Sequence, residues 1–171
     1  MLPSLTIRKL TCVLSTLSWR ARRPLRVEPS GELPLEVFGL PSLQVMALQE
    51  NCLSGDVPKG FSSIVSLRYL NLSSIEFAGN IPITYGFLSS LTVLSLSHNG
   101  VSGEIPPEIG KILVELSSIS GLEYLNVSSN NLEGEIPYML GATFNEPSVF
   151  AMNQGLCGNP LHRECANDPS A

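Results

Sequence analysis

YLNVSSNNLEGEIP, residues 124–137, has a near-double at residues 69–82, YLNLSSIEFAGNIP. A phrase written twice at this length directs attention to a fixed period, because self-similarity at about 20–50 residues is the signature of stacked repeats. The Gly-x-x-Pro element supplies that period. It occurs as Gly31 to Pro34, Gly55 to Pro58, Gly79 to Pro82, Gly103 to Pro106 and Gly134 to Pro137, with three steps of 24 residues and a last step of 31. Ahead of each later copy runs an apolar comb in one register: Leu43, Met46, Leu48, Leu53; Leu67, Leu70, Leu72, Phe77; Leu91, Leu94, Leu96, Val101; Leu122, Leu125, Val127, Leu132.

Leu-x-x-Leu-x-Leu-x-x-Asn-x-Leu is the comb of a leucine-rich repeat, with one short strand and one return segment per coil. Side chains alternate across a strand, so Leu70 and Leu72 point into the core while Tyr69, Asn71 and Ser73 point out. One coil alone has a small apolar face and nothing to bury it against, so stability must come from its neighbours. The expected fold is therefore a leucine-rich repeat solenoid of α/β type. Short parallel strands line its concave face, and 3₁₀ or short helical turns line its convex face. The asparagine after each strand is present as Asn51, Asn99 and Asn130, where its amide can pair backbone groups of the adjacent turn. The second coil has Ile75 there instead, which predicts the loosest turn of the stack.

With a 24-residue period and Gly-x-Ile-Pro after the coils, the pattern resembles the plant-specific leucine-rich repeats of receptor-like kinase ectodomains and of secreted cell-wall inhibitors. The resemblance spans roughly residues 31–165. It implies a second short strand at Gly-x-Ile-Pro, followed by a 3₁₀ turn. The stretch PSVFAMNQGLCGNPLHREC, 147–165, is similar to the receptor-kinase C-terminal cap, through Phe150, Asn153, Leu156, Cys157, Gly158, Pro160 and Leu161. That likeness implies a disulfide between Cys157 and Cys165, and Gly158 and Pro160 supply turn chemistry between them. Cys12 and Cys52 are expected to be unpaired.

The implied organisation is a basic leader at 1–29, repeats at 30–142, the cap at 143–165 and a tail at 166–171. The first 27 residues carry six basic and no acidic side chains, the remainder four basic and fifteen acidic, and such a sign asymmetry marks a boundary. The leader is open to three readings: a signal peptide with an apolar run at 10–19, a transit peptide, or a disordered non-homologous segment. The disordered reading is preferred here. Seven extra residues fall within 107–121. Ile109, Ile112, Leu113 and Leu116 there have the i, i+3, i+4, i+7 spacing of a convex-side helix; two incomplete coils joined together would give the same longer segment.

The net charge of −5, with few aromatics and no basic patch in the repeats, argues against nucleic acid. No apolar stretch reaches the length of a membrane span. Kinase loops are missing, and His98 and His162 stand apart from carboxylates, so neither an enzyme, a metal nor a cofactor is expected. The resemblance implies a module that recognises a peptide, a co-receptor ectodomain or a wall-derived ligand on its concave face, at an extracellular or cell-surface location. The alternatives are a truncated, non-signalling receptor fragment or a secreted inhibitor-like repeat protein.

The outward strand positions are the candidate ligand contacts: Gln44, Val45, Ala47 and Gln49; Arg68, Tyr69, Asn71 and Ser73; Thr92, Val93, Ser95 and Ser97; Glu123, Tyr124, Asn126 and Ser128. Tyr69 and Tyr124 are the expected anchors, since tyrosine gives a large contact area at low entropy cost. Asn71-Leu72-Ser73 and Asn126-Val127-Ser128 are N-glycosylation sequons, and both asparagines fall on the concave face.

Overall fold

The computed structural model describes residues 4–6, 15–17, 25–27, 33, 35–111 and 121–165. Three short strands lie in the leader: β1 (Ser4–Thr6), β2 (Ser15–Leu17) and β3 (Leu25–Val27). The rest of the leader is outside the described residues. β2 and β3 pair antiparallel. β1 pairs in parallel with β4 (Val45–Ala47), the first strand of the repeat array.

Each coil continues that sheet by one strand. β5 (Ser54–Asp56), β7 (Glu76–Ala78) and β9 (Ser102–Gly103) alternate along the chain with β6 (Tyr69–Asn71), β8 (Val93–Ser95) and β10 (Tyr124–Asn126). The concave sheet has the parallel order β1-β4-β6-β8-β10. Its register aligns Val45, Tyr69, Val93 and Tyr124 in one transverse row, and Ala47, Asn71, Ser95 and Asn126 in the next. Each coil is fastened to the next by a shared carbonyl. The oxygen of Gln44 accepts from the amides of Arg68 and Tyr69, that of Arg68 from Thr92 and Val93, and that of Thr92 from Glu123 and Tyr124. The 31-residue step thus leaves the strand register undisturbed.

The comb residues are all buried in one hydrophobic cluster that runs through every coil, which is why the spacing could be read without knowing the fold. Gly-x-x-Pro does three jobs. Its apolar member fills the core as Val57, Ile81, Ile105 and Ile136. Pro58 and Pro82, with φ of −67° and −63°, precede 3₁₀ helices at Lys59–Ser63 and Ile83–Phe87, where the ring's fixed φ suits the start of a helix. Gly103 has φ of +72°, a left-handed conformation that glycine adopts at no steric cost and other residues disfavour. The second strands form a lateral sheet: β5 pairs with β7, and β9 pairs with β11 (Asn131–Glu135), which pairs with β12 (Gly155–Cys157). A single bridge from Asn80 to Ser102 joins the two parts.

The ladder asparagines reach backward as well as along their own turn. Asn99 Nδ2 donates to Leu96 O and Ser97 O of its own coil and to Leu72 O of the preceding one, while its Oδ1 accepts the Phe77 amide. Asn130 repeats this with Val127 O, Ser128 O, Leu96 O and the Val101 amide. The bonds that Ile75 cannot make therefore belong to the joint between the first and second coils, and Ile75 fills its slot as a buried apolar side chain.

α1 (Glu108–Lys111) follows Pro106 as the 3₁₀ helix at Ile83–Phe87 follows Pro82, and the longer helix expected through Ile112, Leu113 and Leu116 falls at 112–120, outside the described residues. α1 packs on the 3₁₀ helix at Ile83–Phe87. A Cβ on Gly86 would collide with Glu108 Cβ and lie 2.8 Å from the Glu108 carbonyl oxygen. The last coil returns through α2 (Tyr138–Thr143).

The cap is a coil without a concave strand. A 3₁₀ turn at Pro147–Val149 stands in the strand's place, and Asn153 repeats the ladder by donating to Val127 O, Phe150 O and Ala151 O and accepting from the Leu132 amide. Phe150 and Leu156 are fully buried over the last coil. Cys157 and Cys165 are bonded, with Cα atoms 5.1 Å apart. Arg163, which the sequence did not single out, donates through one guanidinium nitrogen to the carbonyls of Asn153, Gln154 and Leu156. Cys52 is also disulfide-bonded, which corrects its expected free state; Cys12 is outside the described residues.

Candidate protein-binding face

The concave sheet brings every predicted contact residue onto one surface, but not equally. Arg68 and Glu123 are exposed, and Gln44, Val45, Gln49, Tyr69, Thr92 and Val93 are half-buried. Tyr124 keeps 49% of its surface open. Ser95 and Ser97 are only 6% and 5% exposed, and Ala47 is buried as well. The structure thus removes these three from the contact surface. For Ala47 and Ser95 the register explains it: strands stand about 4.8 Å apart, and in the row Ala47–Asn71–Ser95–Asn126 a methyl or hydroxymethyl group is too short to rise above its neighbours.

Two ridges cross this face. Asn71 Nδ2 donates to the Tyr69 hydroxyl at 3.2 Å, and its Oδ1 accepts from the Ser73 amide and hydroxyl at 3.0 and 2.7 Å. Asn126 Nδ2 donates to the Tyr124 hydroxyl at 3.4 Å, and its Oδ1 accepts the Ser128 amide at 3.0 Å. Residues i and i+2 of a strand share a face, so each tyrosine lies along its own strand toward its asparagine. Between the ridges runs the low third strand, with Thr92 Oγ1 bonded to Arg68 O at 3.0 Å. What remains open is the leading row, Gln44–Arg68–Thr92–Glu123, with Val45 and Val93 beside it. Its chemistry suits protein recognition: a cation and an anion two strands apart, with aliphatic and aromatic area behind them.

Among the described residues, no group of three His, Cys, Asp or Glu side chains is placed to hold a metal ion, and no helix is long and apolar enough to cross a membrane.

A parallel-stranded solenoid with a clasping asparagine in every turn but the second and a disulfide-closed last coil defines a leucine-rich repeat protein. Leucine-rich repeat sequence profiles match residues 32–74, and again 90–112 and 121–142. Solved structures carry the likeness further. A chain of the BIR3–SERK2 complex from Arabidopsis thaliana superposes with a TM-score of 0.70 at 32% identity, over 92% of this chain and 82% of that one. The BIR2 ectodomain from the same plant gives 0.71 at 29%, over 89% and 79%. The Arabidopsis receptor kinase HAESA, in complex with the peptide hormone IDA and the co-receptor SERK1, gives 0.58 at 30% over 77% of this chain and 25% of that one. No curated protein sequence matches. The chain belongs to the leucine-rich repeat family, in the form found in plant receptor-kinase ectodomains.

Proposed function

We propose that this chain is a protein-recognition module that takes a peptide segment or a co-receptor ectodomain on the leading edge of its concave sheet. The observation that carries the reading is the row formed by exposed Arg68, half-buried Thr92 and exposed Glu123, held in register by carbonyls that each accept two amides from the next coil. A face fixed by the solenoid's backbone loses little freedom on binding, and this favours affinity. The reading is supported by the neighbours, since HAESA is solved with a peptide hormone and a co-receptor. We further propose that the module is not an enzyme, since its open polar groups form a row for contact rather than a cleft around a reacting atom.

Titration of the full chain with a SERK-type co-receptor ectodomain, by calorimetry, tests this. Arg68→Glu and Glu123→Lys are each expected to weaken binding by about tenfold or more, the cost of placing like charge against a matched partner surface. Affinity unchanged in both variants would reject the leading edge as the contact surface.

A further inference from the structure

We propose that Asn71 and Asn126 each carry an N-linked glycan whose first sugar rests on the ring of the tyrosine two residues upstream. This goes beyond the partner-binding reading and does not depend on it. It gives Tyr69 and Tyr124, expected to anchor a protein ligand, a different role.

Three observations converge. First, both sequons are written Tyr-x-Asn-x-Ser on a concave strand, Tyr69-Leu70-Asn71-Leu72-Ser73 and Tyr124-Leu125-Asn126-Val127-Ser128. The strand period sets ring and amide side by side on the open face, about 6.7 Å apart along the chain. Second, each of these amide nitrogens donates a single hydrogen bond, to its tyrosine hydroxyl. One N–H is left that can be exchanged for a sugar while the other keeps the tyrosine contact. The ladder asparagines differ: Asn99, Asn130 and Asn153 each spend Nδ2 on three carbonyls, and none begins a sequon. Third, Asn71 stands in register between the low, buried Ala47 and Ser95, and Asn126 stands next to Ser95. The short neighbours leave room above the sheet for a pyranose ring. A tyrosine face is electron-rich, and the C–H face of a pyranose carries the complementary positive charge.

The transfer uses a lipid-diphosphate-linked oligosaccharide of the secretory pathway. Asn Nδ2 bonds to the anomeric carbon of the first N-acetylglucosamine, the bond from that carbon to the diphosphate oxygen breaks, and the lipid diphosphate leaves with its electron pair. One amide proton passes to base. The Arg68–Thr92–Glu123 row lies at the edge of both glycans, so a bound partner and the two sugars can share the sheet.

The test uses the full chain secreted from a plant host behind that host's signal peptide. Intact mass should show a glycan increment at two sites, with Ser73→Ala removing one and Ser128→Ala the other. Both variants keep the asparagine, and circular dichroism reports their folding. Tetranitromethane then reads the platform. In the glycosylated protein Tyr69 and Tyr124 are expected to be protected while Tyr138, which is 82% exposed, reacts. Ser73→Ala should raise nitration at Tyr69 alone toward the rate of Tyr138, and Ser128→Ala should do so at Tyr124 alone. A secreted chain with a glycan at neither site, or at only one, overturns the paired arrangement. Glycans at both sites with no protection of either tyrosine overturn the platform.

Discussion

Replacing Asn130 with alanine isolates what holds one coil to the next. Its amide nitrogen donates to Leu96 O, Val127 O and Ser128 O at 2.9, 3.1 and 3.1 Å, and its Oδ1 accepts the Val101 amide at 3.0 Å. The three carbonyls keep other donors, since Leu96 O also accepts Asn99 Nδ2, Val127 O accepts Asn153 Nδ2 and Ser128 O accepts the His98 amide. The group left bare is the Val101 N–H, in a fully buried residue. A buried orphan donor costs about 1–3 kcal/mol, and each bond lost from a carbonyl that stays paired costs about 0.5 kcal/mol or less. Asn130→Ala should therefore lose about 2–4 kcal/mol, read by urea denaturation followed by circular dichroism. Asn130→Asp keeps the acceptor for Val101 but aims a carboxylate oxygen at three carbonyls, so at neutral pH it should lose more than alanine does. Asn131→Ala, at the exposed neighbour, should stay within about 0.5 kcal/mol of the parent. If Asn130→Ala were no worse than Asn131→Ala, the asparagine ladder would not be what fastens the coils.

Gly86→Ala should cost about 1–3 kcal/mol as an overpacking defect against Glu108, while Gly39→Ala, with nothing within 4 Å of the new Cβ, should be near neutral; thermal melts of the two variants decide this. Tyr85 is fully buried with its hydroxyl on Pro58 O at 2.9 Å, and burial raises its pKa well above the ordinary tyrosine value. In the unfolded chain it ionises near pH 10, so stability should be complete below that pH and fall by up to about 1.4 kcal/mol per unit above it. In a melt series Tyr85→Phe should flatten that slope and cost about 1 kcal/mol at pH 7. Reducing the Cys157–Cys165 bond opens a loop worth about 2–3 kcal/mol by chain entropy; hydrogen exchange should then rise first at residues 147–158, while β6 and β8 stay protected.

The comb and the ladder asparagines were legible because each depends on side chains at fixed spacing within one coil or its immediate neighbour, whereas the cap pair was legible only through its likeness to the receptor-kinase cap. Other features were set by three-dimensional neighbours that spacing does not encode. Ser95 faces the concave side as read, yet the height of flanking side chains buries it. Arg163 closes the cap through three carbonyls gathered by a turn, and a lone arginine between two cysteines gives no signal of that. The bonded state of Cys52 was missed because the repeat pattern around it gives no sign of a partner. Of the candidate site, the face was readable and its open leading edge was not.

Hydrogen exchange on the full chain, with and without a SERK-type ectodomain, locates the contact surface residue by residue. Recognition on the leading edge predicts new protection in the peptides spanning 43–49, 67–73, 91–97 and 122–128, strongest around Arg68, Thr92 and Glu123. Protection confined to the convex 3₁₀ helices at Lys59–Ser63 and Ile83–Phe87, or none anywhere at saturating partner, would contradict it.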